Sequence, residues 1–270
     1  MIKQAIIPLA GLGTRLLPLT SVIPKELLPI NGKPGLEYIM DECINSGIKE
    51  VIFIISTKKQ SIKKYFYNDK FYENFIKKKK DKRVIREYKK IKKYKKMIKF
   101  VYQNSPKGTG DAVLKCKNLI KSNFFLMLMP DDLIIKNNCS KSMIDLHRKY
   151  KASIIASQKV KKNSVSRWGI FNIKKFNKKN FIIKDVIEKP KMKEAPSRYA
   201  VIGRYILPRE IFKILQKQKP GKNGEIHITD SIRTLILRKN KFIGNIFAGK
   251  YLYCGSMKGY INSSLEISKI

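Results

Sequence analysis

Four short motifs in this 270-residue chain carry residue types suited to binding phosphates and sugars. The first runs from Leu9-Ala10-Gly11-Leu12-Gly13-Thr14-Arg15 through Pro18 to Pro24-Lys25-Glu26 and Pro29. A glycine-rich turn lets backbone N–H groups come close to an anion. Arg15 and Lys25 add two cations on a segment stiffened by prolines. Each charge-assisted hydrogen bond to phosphate is worth about 1.5–3 kcal/mol. That combination suits a triphosphate, while the turn alone equally suits a simple chain reversal. The segment matches neither G-x-G-x-x-G nor the P-loop pattern.

The second motif is Pro130-Asp131-Asp132, which ends the apolar run Phe124–Met129. Ligands of open α/β sheets sit at the carboxyl ends of strands, and a carboxylate there suits Mg²⁺ shared with substrate phosphates. A turn or helix cap is the plainer reading. In the third, Glu188-Lys189-Pro190, an acid and a cation could hold a sugar hydroxyl and a phosphate, or form an exposed ion pair. The fourth joins Gln103 to Lys107-Gly108-Thr109-Gly110-Asp111. A strand-end amide and a glycine turn there could read a base edge, or Thr109 and Asp111 could simply cap a helix.

Composition argues against several other classes. There are 59 Lys plus Arg against 20 Asp plus Glu, a net charge of +39, which first suggests nucleic acid. Only ten of the basic residues are arginine, the residue that makes bidentate base and phosphate contacts. An RNA-binding protein is therefore the alternative from another class, not the first expectation. The four cysteines, at 43, 116, 139 and 254, have no metal-ligand spacing and suit free thiols in a reducing cytoplasm. Two histidines are too few for a His-based metal site. No apolar run approaches the roughly 20 residues that span a bilayer. The N-terminal stretch lacks the pattern of a cleavable signal.

The elements that must position these motifs alternate regularly. Residues 3–9 predict a buried strand, 34–47 a helix bounded by Pro34 and Gly47, and 50–56 a second buried strand. Residues 58–99 are lysine-dense with interleaved aromatics. They predict a solvated helical excursion, since Ile62 and Phe66 supply an apolar face, rather than an RNA or membrane patch. Strands are predicted at 98–103, 124–129, 152–158 and 201–207, helices at 110–119, 140–150 and 209–216, and a hairpin over 167–186. This is the pattern of one α/β domain with a central mixed, mostly parallel sheet. Residues 1–132 would form a nucleotide-binding part, and 133–270 a sugar-phosphate-binding part ending in helices.

Taken together, in this order, the motifs resemble those of the bacterial UTP–glucose-1-phosphate uridylyltransferases (UDP-glucose pyrophosphorylases), within the sugar-phosphate nucleotidyltransferase superfamily. The resemblance runs from AIIPLAGLGTRLLPLT and IPKELLPINGKP through KGTGDAVL, LMPDDLI, WGIF, VIEKP, AVIGRYIL and GEIHITDSI to CGSMKGY. Glu26, where thymidylyl relatives usually carry glutamine, favours the uridylyl branch over a glucose-1-phosphate thymidylyltransferase, the nearest alternative.

The resemblance implies a single Rossmann-like, three-layer nucleotidyltransferase fold, a homo-oligomeric cytoplasmic enzyme with no specific nucleic-acid or membrane partner, and Mg²⁺ as cofactor. The implied substrates are UTP and glucose-1-phosphate. Ala10, Gly11 and Gly13 would lie against the uridine and its phosphates, and Glu26, Gln103 and Gly108 against the uracil. Arg15 and Lys25 would bind the triphosphate. Asp131 would hold Mg²⁺, with Asp132 near the sugar. Gly169 and Glu188 would contact glucose hydroxyls and Lys189 the sugar phosphate. Three features depart from the family pattern: Tyr253 stands where a second metal carboxylate is common, Trp168 replaces a tyrosine, and the chain ends soon after Tyr260. Either Mg²⁺ relies on Asp131, phosphates and water, or the alignment at Tyr253 is shifted.

Overall fold

Apolar residues in unbroken runs form strands buried on both faces. The first two are β1 (Gln4–Pro8) and β4 (Glu50–Ile55), with the two-residue strands β2 (Pro29–Ile30) and β3 (Lys33–Pro34) and the helix α1 (Gly35–Asn45) between them. The chain is seen here in a computed structural model that describes residues 2–67, 70–79, 81–177, 179–221 and 224–270. After β4 come α2 (Gln60–Tyr67), α3 (Lys70–Lys78), α4 (Lys82–Lys95), β5 (Ile98–Tyr102), α5 (Thr109–Leu114), β6 (Phe124–Leu128), β7 (Asp132–Ile135) and α6 (Cys139–Tyr150). The remainder is β8 (Ser153–Lys159), β9 (Gly169–Asn177), β10 (Asn180–Glu188), β11 (Tyr199–Pro208), α7 (Ile211–Leu215), α8 (Ile228–Leu237), β12 (Phe242–Ile246), β13 (Lys250–Tyr253) and α9 (Met257–Ser268).

One nine-stranded sheet has the order β5-β4-β1-β6-β11-β8-β12-β10-β9. Strands β5, β4, β1, β6, β8, β12 and β9 run in one direction, and β11 and β10 oppose them. The pairing of β6 with β11 makes the sheet continuous across residue 132. Two-residue periodicity divides the core between its faces. Ala5, Ile7, Val51, Phe53 and Ile55 join Leu36, Met40, Ile62 and Met143 on one side. Ile6, Ile52 and Ile54 join Val113, Phe212, Ile232 and Leu235 on the other. The molecule therefore has three layers, with the sheet between two helical faces.

The lysine-rich segment is helical, as its apolar spacing predicts. Ile62, Phe66 and Tyr94 are fully buried, and Phe66 meets Phe53 and Tyr94 edge-on at 5.4 and 5.8 Å. Asp81 caps α4 by accepting from the Arg83 and Val84 amides. Asp41 on α1 accepts from Lys33, Lys93 and Tyr94, which fastens α4 to the body of the fold. Parts of the predicted excursion and hairpin, at Asn68, Asp69, Lys80 and Lys178, lie outside the described residues.

Two differences from the sequence expectation bear on the site. The helix expected over 110–119 is α5, Thr109–Leu114. Beyond it the amides of Cys116, Lys117 and Leu119 each bond three residues back, so the chain tightens into turns before β6. Near the C-terminus, where only helices were expected, β12 and β13 precede α9. There, β13 pairs antiparallel with β7 in a register that sets Tyr253 opposite Asp132.

Candidate active site

The loops at the carboxyl ends of β1, β5 and β6 converge at the edge of the sheet, where the crossover geometry of parallel strands leaves a cleft. Ala10, Gly11, Lys25, Glu26, Gln103 and Gly108 line one cavity of about 190 Å³, with Pro8, Pro106, Thr109, Ala112, Met129, Pro130 and Glu225. Arg15, Asp132, Gly169, Glu188 and Lys189 line a second of about 310 Å³, which also includes Arg167, Trp168, Gly203 and His227. Thr109, Met129 and Glu225 face both, so the two cavities are halves of one cleft. Of the residues expected there, Gly13 and Asp131 line neither half. Gly13 instead adopts a left-handed conformation (φ 72°) ahead of the turn Thr14–Leu16 that carries Arg15.

Asp131 pairs with two cations. Its Oδ2 accepts from Lys25 Nζ at 2.5 Å, and Arg15 Nη2 lies 3.9 Å away. Burial disfavours the Lys25 ammonium, but the Asp131 and Glu26 carboxylates more than offset this and raise its pKa. The Arg15 guanidinium also lies 5.6 Å from the centre of the Tyr253 ring, within cation–π range. Tyr253 meets Trp168 edge-on, and the Cys254 amide donates to the Asp131 carbonyl. The Tyr253 ring thus stands beside Arg15 at this corner.

The Pro130-Asp131-Asp132 turn is held from beneath by Arg204 of β11, which has no exposed surface. Its guanidinium donates to the carbonyls of Met129 (3.1 Å), Gly203 (3.2 Å) and Asp132 (2.7 Å). It also grips both carboxylate oxygens of Glu42. The Gly203 amide donates to Asp132 Oδ2, and a Cβ on residue 203 would lie 2.2 Å from that oxygen, so only glycine permits the approach. Tyr251 donates to the other oxygen, Oδ1. Burial pushes the Asp132 carboxyl up, against the hydrogen bond from Tyr251 and the charge of Arg204. Asp132 is thus a tethered residue at the floor of the second cavity.

Gln103 donates to Asp111 Oδ2 (2.7 Å) and to the Gly108 carbonyl (3.2 Å), which directs its amide across the turn into α5. Gly108 has φ 96°, and a Cβ there would come within 2.6 Å of the Ile226 carbonyl, so the turn requires glycine on both counts. The Thr109 hydroxyl accepts from the amide of Ile228, the first residue of α8, rather than capping α5. On the far wall, Glu188 ends β10 opposite Gly169 of β9, and Lys189 Nζ lies 3.8 Å from Glu188 Oε1.

Sequence reasoning did not single out Lys59 or Arg204. Lys59 donates to the Leu9 carbonyl (2.7 Å) and to both oxygens of Glu26 (2.9 Å each). Burial pushes the Glu26 carboxyl up and the Lys59 ammonium down, each opposed by the charge of its partner. Lys59 was hidden by its many lysine neighbours, whereas Arg204 stood in view as a lone cation inside the apolar run AVIGRYIL.

The donor set fits a hard divalent cation only in part. Among the described residues no cluster of three or more His, Cys, Asp or Glu could hold a metal. Asp131 offers one carboxylate, and Mg²⁺ is commonly bound by one or two carboxylates completed by water and substrate phosphates.

Comparisons with known proteins identify the family. The nucleotidyl transferase family model matches residues 4–269. The UTP–glucose-1-phosphate uridylyltransferase of Bacillus subtilis is 35% identical over 271 residues, covering 99% of this chain and 91% of that protein. A crystal structure of UDP-glucose pyrophosphorylase complexed with UDP-glucose is 38% identical and superposes with a TM-score of 0.89, covering 100% of this chain and 99% of the other. The UTP-bound enzyme from Acinetobacter baumannii is 30% identical with a TM-score of 0.88, covering 99% and 93%. The chain belongs to the nucleotidyl transferase family and, within it, to the UTP–glucose-1-phosphate uridylyltransferases.

Proposed function

We propose that this enzyme transfers a uridylyl group from UTP to glucose-1-phosphate, with Mg²⁺ as cofactor, giving UDP-glucose and pyrophosphate. The observation that carries the reading is the divided cleft, whose halves share a wall and meet beside Arg15, Lys25 and Asp131. A nucleoside suits the half lined by Gln103, Gly108 and Glu26, and a sugar phosphate suits the half lined by Gly169, Glu188 and Lys189.

In the reaction, an oxygen of the sugar phosphate attacks the α-phosphorus of UTP. The bond from that phosphorus to the oxygen bridging to the β-phosphate breaks, and pyrophosphate leaves with the electron pair. The attacking phosphate is already ionised, so no protein base or nucleophile is needed. Catalysis is positioning and charge neutralisation. Ala10 and Gly11 bring backbone close to the nucleotide and Gly13 shapes the turn that carries Arg15, while Glu26, Gln103 and Gly108 contact the uracil. Arg15 and Lys25 bind the triphosphate and steady the leaving group. Lys189 holds the incoming phosphate, and Asp132, Gly169 and Glu188 orient the sugar. A magnesium ion held by Asp131 and the substrate phosphates would supply further charge neutralisation.

Among the described residues no helix is long and apolar enough to cross a membrane. The four free cysteines support a reducing, cytoplasmic setting. Half-exposed Ile261 and Leu265 on one face of α9 support a homo-oligomer. A pyrophosphate-release assay with glucose-1-phosphate tests the nucleotide assignment. UTP should give the highest kcat/KM, and a clear preference for dTTP would replace this reading with a thymidylyltransferase.

A further inference from the structure

One lysine of the lysine-rich segment has surroundings unlike its neighbours'. Lys59, in the turn Thr57–Lys59 ahead of α2, is 6% exposed, whereas Lys58, Lys63 and Lys64 face solvent. An ammonium has three N–H donors. That of Lys59 is met by three acceptors: the Leu9 carbonyl, Glu26 Oε1 and Glu26 Oε2. Leu9 directly precedes Ala10-Gly11, and Glu26 directly follows Lys25. Lys59 therefore clamps both ends of the loop that frames the nucleoside half of the cleft. It does not itself line that cavity; Glu26 does.

Lys25, the other nearby cation, points its ammonium at Asp131. The hydrogen-bonded cation of Glu26 is thus Lys59. Burying an ammonium and a carboxylate costs desolvation free energy that a surface pair avoids, so the pair adds little net stability in its own right. What it does supply is a fixed direction. With both oxygens held from behind, the Glu26 carboxylate presents only acceptor lone pairs to the cavity. Such a wall suits the ring N–H of uracil or a ribose hydroxyl, both donors.

We infer that Lys59 is a positioning residue for nucleoside recognition, acting through the Glu26 carboxylate and the Leu9 carbonyl and not on the phosphates. The identity of the nucleoside rests on the uridylyltransferase reading above. Titration calorimetry with UTP and, separately, inorganic tripolyphosphate distinguishes the two ends of the site.

Lys59→Met should weaken UTP about tenfold or more, as expected for losing hydrogen bonds to a charged group. It should leave tripolyphosphate within about twofold, because Arg15 and Lys25 remain. Glu26→Gln should weaken UTP similarly, and Lys59→Met/Glu26→Gln should bind no more weakly than Glu26→Gln alone, the signature of residues acting as one unit. The double variant buries no unpaired carboxylate, so it carries the test if Lys59→Met fails to fold. Unchanged UTP binding by Lys59→Met, equal weakening of UTP and tripolyphosphate, or additive effects in the double variant would overturn the assignment of Lys59 alone. A wild-type protein that binds UTP no better than tripolyphosphate overturns the nucleoside reading and this inference with it.

Discussion

The Lys25 ammonium and the Asp131 carboxylate are joined at 2.5 Å beside the cleft, with the Arg15 guanidinium 3.9 Å from the same oxygen. Asp131 thus pairs with both of the cations proposed to hold the triphosphate. Incoming phosphates must compete for them, and a cation on Asp131 would free both.

Lys25→Ala removes a donor aimed at transferring phosphates. Loss of one such electrostatic group typically costs about 10²–10³-fold in kcat. Asp131→Ala should be comparably damaging and should also abolish the response to added Mg²⁺. Steady-state pyrophosphate release measures both, and circular dichroism shows whether the fold is intact. Near-normal turnover by both folded variants would remove these residues from the chemistry.

Arg204 and Glu42 form a buried pair beneath the Pro130-Asp131-Asp132 turn. Arg204→Met leaves Glu42 without its charge partner and frees the Met129 and Asp132 carbonyls, so stability should fall by about 3–5 kcal/mol. Replacing both with methionine should cost less than Arg204→Met alone, because no uncompensated charge remains buried. Urea unfolding of the wild type and the two variants tests the ordering.

Asp41 anchors α4 through Lys33, Lys93 and Tyr94. Burial raises its carboxyl pKa, but the three hydrogen bonds outweigh burial and hold it below the ordinary 3.8. A carboxyl depressed in the folded state contributes stability that is present above its unfolded pKa and lost as pH falls through the folded value. Asp41→Asn should therefore cost about 1 kcal/mol near neutrality, a modest figure because the group is partly solvated. The difference from wild type should shrink below about pH 4. Thermal unfolding at a series of pH values measures it, and a gap that widens in acid would contradict the assignment.

Much of this was legible from particular residues. Ala10-Gly11, Lys25-Glu26, Gln103 and Gly108 each had a plainer reading alone; the family resemblance grouped them, and they line one cavity. The alternating core of β1 and β4 followed from their apolar runs. Lys59 was illegible because burial of one lysine among many depends on the tertiary position of Glu26, which local spacing does not encode. The β7–β13 pairing was missed because four-residue strands give almost no periodicity, yet that pairing sets Tyr253 opposite Asp132. Asp132, expected simply near the sugar, is held by Gly203 and Tyr251, partners that lie 71 and 119 residues away in sequence.

The +39 charge separates into a few cations in the cleft and a coating elsewhere. If the coating acts only as a diffuse field, binding to RNA should be weak, indifferent to sequence and lost at moderate salt. Filter binding with two unrelated RNAs at low and physiological salt tests this. Tight, sequence-selective binding that persists at physiological salt would instead favour an RNA-binding role.

The most direct test of the central claim is ³¹P NMR of purified enzyme with UTP, glucose-1-phosphate and Mg²⁺. UDP-glucose and pyrophosphate should appear in equal amounts as both substrates disappear, with no inorganic phosphate formed. Release of inorganic phosphate, or UTP consumption that does not depend on glucose-1-phosphate, would contradict it.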